Sequence, residues 1–228
     1  MAWTNLGNPR PKPEPQRYVP RTWEAGREQV LHRLDALPAA DIAQMLFARR
    51  SRREFGDAPD ERSLGHFLYL TAFAHREQPS ELGFPLTWAC APSAGAIHGI
   101  HVLLVPAVGS SVWLYEPARH ALVEQPGQDS FAVRTRAEAG EIVEIARASL
   151  LVLAAEPGKY AAKYDDCESL VWRDAGVLLG YMSVVAEALG LDFCCLGMTG
   201  DGALRELDRQ SKLLGVGVAA LGSRSANR

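Results

Sequence analysis

Long apolar runs are missing from this chain. The best candidates, Ile100–Pro106, Ala148–Ala155 and Leu213–Leu221, fall well short of the roughly 18 residues that a bilayer span needs, so no membrane partner is expected. The first residues, Met1-Ala2-Trp3-Thr4, lead into prolines and charges with no apolar stretch behind a basic start. That argues against a secretory signal and for a cytoplasmic location. Cysteine is scarce. Cys90, Cys167, Cys194 and Cys195 are too few for a disulfide framework and contain no CxxC, so they read as reduced thiols, the adjacent Cys194-Cys195 pair as buried packing. No excess charge stands out either: the formal net charge is −3, and a second basic cluster with interleaved aromatics is lacking, which weakens nucleic acid as a partner. GxxxxGK[ST], HExxH, GxSxG and GxGxxG are all absent. His98 and His101 stand three apart, but no Cys, Asp or Glu lies near them at ligand spacing, so no metal is expected.

What is present fits a globular domain. The 228 residues are 47% hydrophobic and 22% charged. Five of the 14 prolines fall within the first twenty residues, where Pro9, Pro11, Pro13 and Pro15 alternate with polar and basic residues. Such a sequence favours extended backbone. Residues 1–22 are therefore expected to form an arm that lies on a partner or is disordered, and residues 23–228 a single domain.

Within that domain, Val30, Leu31, Leu34 and Leu37 suggest a helix over Trp23–Ala36, and a second helix is expected over Asp41–Ala48. A third over Asp60–Ala74 carries Leu64, Phe67, Leu68 and Leu70. Leu86–Ala91, His101–Pro106, Ser111–Glu116 and Ala121–Glu124 read as a strand meander, Phe131–Arg147 as a helix, and Ser149–Ala155 as a central buried strand. Between Asp174, a candidate N-cap, and Gly190 the chain is almost wholly apolar or small, which predicts a helix buried on all sides, either shared with a partner subunit in a homodimer, as expected, or enclosed within a monomer. Leu213–Gly222 supplies a last strand before a basic tail. The fold class is α+β, with a mainly antiparallel central sheet flanked by helices.

Three segments carry chemistry. Arg49-Arg50-Ser51-Arg52-Arg53-Glu54-Phe55 sets four guanidinium groups and a hydroxyl at the end of the second helix, a combination suited to phosphate oxygens or to a solvated basic face. Ala91-Pro92-Ser93-Ala94-Gly95-Ala96-Ile97-His98 has small residues that expose backbone N–H groups to a flat ligand or an anion. Lys159-Tyr160 and Lys163-Tyr164 follow the central strand, where a loop would present a base and an acid to a cleft.

Taken in this order, the segments resemble the nitroreductase-like flavoproteins, and in particular their SagB-type branch, which includes azoline dehydrogenases of thiazole- and oxazole-modified peptide biosynthesis. The resemblance covers roughly Ala48 to Arg224. An R-x-S-x-R-x-F pattern matches Arg49, Ser51, Arg53 and Phe55, and implies that these hold the phosphate and ribityl chain of FMN. The P-S-A-G-G-L-H-P motif matches Pro92, Ser93, Ala94, Gly95, Ile97 and His98, implying backbone along the isoalloxazine; the chain departs from it at Ala96 and Gly99. The resemblance also places Leu196-Gly197 at flavin N5, Arg224 at the phosphate, and Arg173–Leu191 in a dimer-forming helix. It assigns proton transfer to Lys163 and Tyr164, with Lys159-Tyr160 as a decoy, although Asp165-Asp166-Cys167-Glu168 replaces the Gly- and Arg-containing run usual after the pair.

These features imply an FMN-dependent dehydrogenase acting on a small-molecule or peptide substrate, within or outside a peptide-modifying complex. An NAD(P)H-dependent nitro- or quinone reductase is the first alternative, and a non-catalytic flavin-binding subunit or scaffold the second.

Overall fold

The computed structural model describes residues 4–36, 41–208 and 212–225. Its strands are β1 (Arg10–Pro11), β2 (Glu28–Val30), β3 (Arg76–Gln78), β4 (Leu86–Trp88), β5 (Ile100–Val105), β6 (Trp113–Glu116), β7 (Ala121–Glu124), β8 (Ser149–Ala155), β9 (Tyr164–Asp165), β10 (Leu191–Cys195) and β11 (Leu214–Ser223). Its helices are α1 (Ile42–Ala48), α2 (Glu61–Ala72), α3 (Asp129–Gly140), α4 (Pro157–Lys163), α5 (Glu168–Ala188) and α6 (Asp201–Leu207).

The apolar run of β8 is continuous because both of its faces are covered. It lies in the middle of a seven-stranded sheet, ordered β10-β11-β8-β5-β6-β7-β2, in which every neighbour is antiparallel. Successive side chains of a strand point to opposite faces. Leu151 and Leu153 accordingly join a core with Phe67, Leu68 and Met182, while Leu150, Val152 and Ala154 join a second core with Phe131 and Leu204. This α+β architecture, a large antiparallel sheet with helices against both faces, is the one expected.

Several local expectations are corrected. No helix forms over Trp23–Ala36: Glu28–Val30 instead extend the sheet by pairing with β7. Val30 is 67% exposed and its neighbour Leu31 only 4%, a strand's alternation rather than a helical stripe; Leu37 lies outside the described residues. α1 starts as expected, its N–H groups at Ala43 and Gln44 capped by Asp41. α3 ends at Gly140, seven residues short of Arg147. α4 and α6, short and flanked by glycine or proline, were not legible as helices.

α5 begins at Glu168, so Asp174 is an interior residue and not its N-cap. Nor is this helix enclosed on all sides within the chain. Val171, Ala175, Met182 and Ala186 face the core, whereas Trp172, Gly176, Val177 and Gly180 form an exposed stripe. Of the cysteine pair, strand alternation buries Cys194 and exposes Cys195.

The described part of the arm, from Thr4, packs on the chain's own domain. β1 pairs antiparallel with β9, setting Arg10 opposite Asp165 and Pro11 opposite Tyr164. Further along, the Tyr18 N–H donates to Leu82 O, and the Tyr18 hydroxyl donates to Glu156 at 2.9 Å.

Candidate functional site

The loop between β4 and β5 is held in an unusual backbone shape. Gly95, Ala96 and His98 all have positive φ, at 59°, 58° and 43°. For non-glycine residues the left-handed region costs about 1–2 kcal/mol each, so the second glycine of the motif, replaced here by Ala96, stands where the backbone favours glycine. Gly99, in place of the motif's proline, answers to packing: a Cβ there would stand 2.5 Å from the Tyr160 ring.

What holds the loop is Asp174. From the interior of α5 its buried carboxylate accepts the Ser93 hydroxyl at 2.6 Å, the Ala94 N–H at 3.1 Å and the Tyr160 hydroxyl at 2.9 Å. Ser93 Oγ in turn accepts the His98 N–H at 3.0 Å. One carboxylate thus joins the loop, α4 and α5. Asp174 is therefore a clamp and not the expected cap, and the apolar run that follows it in α5 is the sequence signal that marks it.

The Lys-Tyr pairs separate sharply. Lys163 Nζ donates to Gly95 O at 3.0 Å, and a Cβ placed on Gly95 would lie 2.6 Å from Tyr164 Oη and 2.9 Å from Lys163 Nζ. Lys163 and Tyr164 therefore converge on the loop from below, while Pro92, Ser93 and Ala94 lead into the same turn. Tyr160 instead points inward to Asp174, and Lys159 lies 3.7 Å from Glu156.

Glu156 is the buried hub behind this surface. It accepts from Tyr18 Oη, from the Arg21 N–H and from His101 Nε2, the last at 2.9 Å. Burial alone would raise its pKa; the His101 hydrogen bond, with the charges of His101 and Lys159 and the Arg21 N–H, outweighs burial and holds it at about 2. Burial pushes down the pKa of Lys159 and of both His98 and His101. These three residues, with Trp23, Phe84 and Leu178, help line a cavity of about 240 Å³.

The arginine run divides in two. Arg52 turns inward, 2.9 Å from Glu187 and 3.5 Å from Asp192, and its N–H donates to Phe193 O. Arg224, expected at a phosphate, lies on the same two carboxylates at 3.3 Å and 3.7 Å. Arg49, Ser51 and Arg53 remain outside this cluster. Arg49 and Arg53 stand near the end of β10: burial raises the Cys194 and Cys195 thiols, and the two guanidinium groups oppose that rise, Arg53 at Cys194 and Arg49 at Cys195. The Leu196 N–H is taken by Val218 O, whereas Gly197 is exposed with open space where a Cβ would stand.

The chain belongs to the nitroreductase family, whose profile matches residues 46–216. Among solved structures it is similar to a putative nitroreductase from Ralstonia eutropha JMP134, at 20% identity and a TM-score of 0.70, covering 94% of this chain and 99% of that one. A putative nitroreductase in complex with FMN from Desulfovibrio desulfuricans is 20% identical with a TM-score of 0.51, covering 83% and 92%. The E. coli microcin synthetase McbBCD complex with truncated pro-MccB17 bound contains a chain of TM-score 0.53 and 18% identity, covering 86% and 78%. Comparison with curated proteins finds no match.

Proposed function

We propose that this chain is an FMN-dependent oxidoreductase that dehydrogenates a peptide or peptide-derived ring of the azoline type. The observation that carries the reading is the convergence of Lys163 and Tyr164 on Gly95, at the turn of the Pro92–Gly95 loop. When bound, FMN supplies a hydride acceptor at N5.

The residues present fit that group. Half-buried Arg49 and exposed Arg53, with exposed Ser51 between them, are paired with no carboxylate among the described ion pairs and suit a phosphate. Pro92, Ser93, Ala94 and Gly95 offer backbone held by Asp174, and just past β10 the Leu196 N–H is already bonded to Val218 O, which leaves Gly197 to face the flavin. Arg224 lies on Glu187 and Asp192, which take part of its charge, and its partly exposed guanidinium is the remaining candidate for the phosphate.

Lys163 is the base for the acidic proton of the ring carbon, and its hydrogen bond to Gly95 O fixes where the nitrogen sits. Tyr164 hydrogen-bonds the ring or its developing negative charge. Support for the peptide class comes from the likeness in fold to a chain of the microcin synthetase complex, taken together with this pair.

The exposed apolar residues Ile42, Leu46 and Phe47 of α1, with Trp172 and Val177 of α5, form the face proposed to meet a second copy. Sedimentation of wild type as a dimer and of Val177→Asp as a monomer tests that face. The functional reading is tested by identifying flavin released from the purified protein, then mixing the oxidised protein anaerobically with a thiazoline-containing peptide. Bleaching by the peptide that Lys163→Ala abolishes supports it; bleaching by NAD(P)H alone favours a nitro- or quinone reductase.

A further inference from the structure

We propose that the N-terminal arm is a working part of this site, fixing the backbone beneath Lys163 and Tyr164, with Lys12 and Gln16 as positioning residues through their N–H groups. The inference rests on the reading of that pair as the proton-handling residues.

A helix leaves its last carbonyls without partners inside the helix. α4 ends at Lys163, and the arm supplies what is missing: the Lys12 N–H donates to Lys163 O at 2.9 Å and the Gln16 N–H to Ala162 O at 2.8 Å. The pairing of β1 with β9 continues the hold through Tyr164 and Asp165. Charge secures the register, with Arg10 3.2 Å from Asp166 and Lys12 3.8 Å from Asp165. Those two acids belong to the run that departs from the related proteins' pattern after the Lys-Tyr pair, and here they serve as the arm's anchor.

The alternating prolines fit the same purpose. Pro9, Pro11, Pro13 and Pro15 have no N–H, so the donors left to the arm are those of the even-numbered residues, and Lys12 and Gln16, on either side of a bend at Pro13–Glu14, bond to α4. The arm caps one helix without offering an edge to another strand.

Lys12→Pro deletes the bond to Lys163 O between two existing prolines. Glu14→Pro adds the same stiffness where no backbone bond to α4 is made, and Lys12→Ala keeps the N–H. The readouts are the acetylation rate of Lys163 relative to Lys159, followed by peptide mass spectrometry, and deuterium exchange over residues 160–166. Lys12→Pro is expected to raise both by about fivefold, the change one backbone hydrogen bond supports, with Lys12→Ala, which loses the ion pair to Asp165, clearly less affected, Glu14→Pro like wild type, the melting midpoint within about 4 °C of wild type and FMN uptake intact. With the thiazoline peptide, its loss falls on kcat rather than KM. Unchanged labelling in Lys12→Pro, an equal effect in Glu14→Pro, or faster exchange throughout the chain overturns the proposal. Should Lys12→Pro not fold, Gln16→Pro makes the same test at Ala162. A wild type that takes up no FMN removes the functional reading instead, a result separate from the labelling.

Discussion

Ser93 Oγ and Asp174 Oδ2 lie 2.6 Å apart, and this bond ties the strained loop to the interior of the longest helix. Because Asp174 also accepts from Ala94 and Tyr160, no neutral side chain satisfies all three donors at once. Asp174→Ala is expected to lose about 3 kcal/mol of stability, the range for leaving buried partners of a charge unpaired. Ser93→Ala, which removes one donor, is expected to lose about 1 kcal/mol. Urea unfolding of the three proteins checks the order.

Gly95→Ala sets a methyl group against both Lys163 and Tyr164 at a φ of 59°. The left-handed conformation costs about 1–2 kcal/mol, and the two side chains must also move aside. Turnover is expected to fall by at least about tenfold, since proton transfer by positioned groups contributes 10²–10⁴-fold, while the protein remains folded by circular dichroism.

The arginines are expected to separate by assay. Arg52→Ala strands Glu187 and Asp192, with Arg224 alone beside them, and should cost about 3 kcal/mol in unfolding experiments. Arg49→Ala and Arg53→Ala should leave stability nearly unchanged and weaken FMN retention, read by equilibrium dialysis. Equal FMN affinity in both variants would remove them from the cofactor site.

Glu156 sets an acid limit. Its pKa falls from an ordinary 4.5 to about 2 on folding, so its contribution to stability is complete above pH 4.5 and disappears as pH drops through about 2. Glu156→Gln is therefore expected to be less stable than wild type at pH 7 and to converge with it towards pH 2. Thermal melts at intervals between those values check the convergence.

The central strand was legible because Ser149–Ala155 is a short, continuous apolar run of a length typical of an enclosed strand, and the Pro92–His98 and Lys163-Tyr164 segments were legible as motifs. Residues 23–36 were not. Val30 and Leu31 fit a helical stripe as well as a strand, and only pairing with β7, which is remote in sequence, decides between them. Asp174 illustrates the same limit: an acid near the apparent start of an apolar run looks like a cap, and its true partners at Ser93 and Tyr160 come together only in the fold. Arg52 could not be told from its three neighbours, since burial of one guanidinium among four depends on where Glu187 and Asp192 fall.

Proline spacing along residues 9–15 has one more consequence. A chain so restricted is already extended before it docks, so it surrenders little conformational freedom on meeting α4. The segment therefore acts as a stiff brace, held to α4 and β9 by a few bonds that cost it little order of its own.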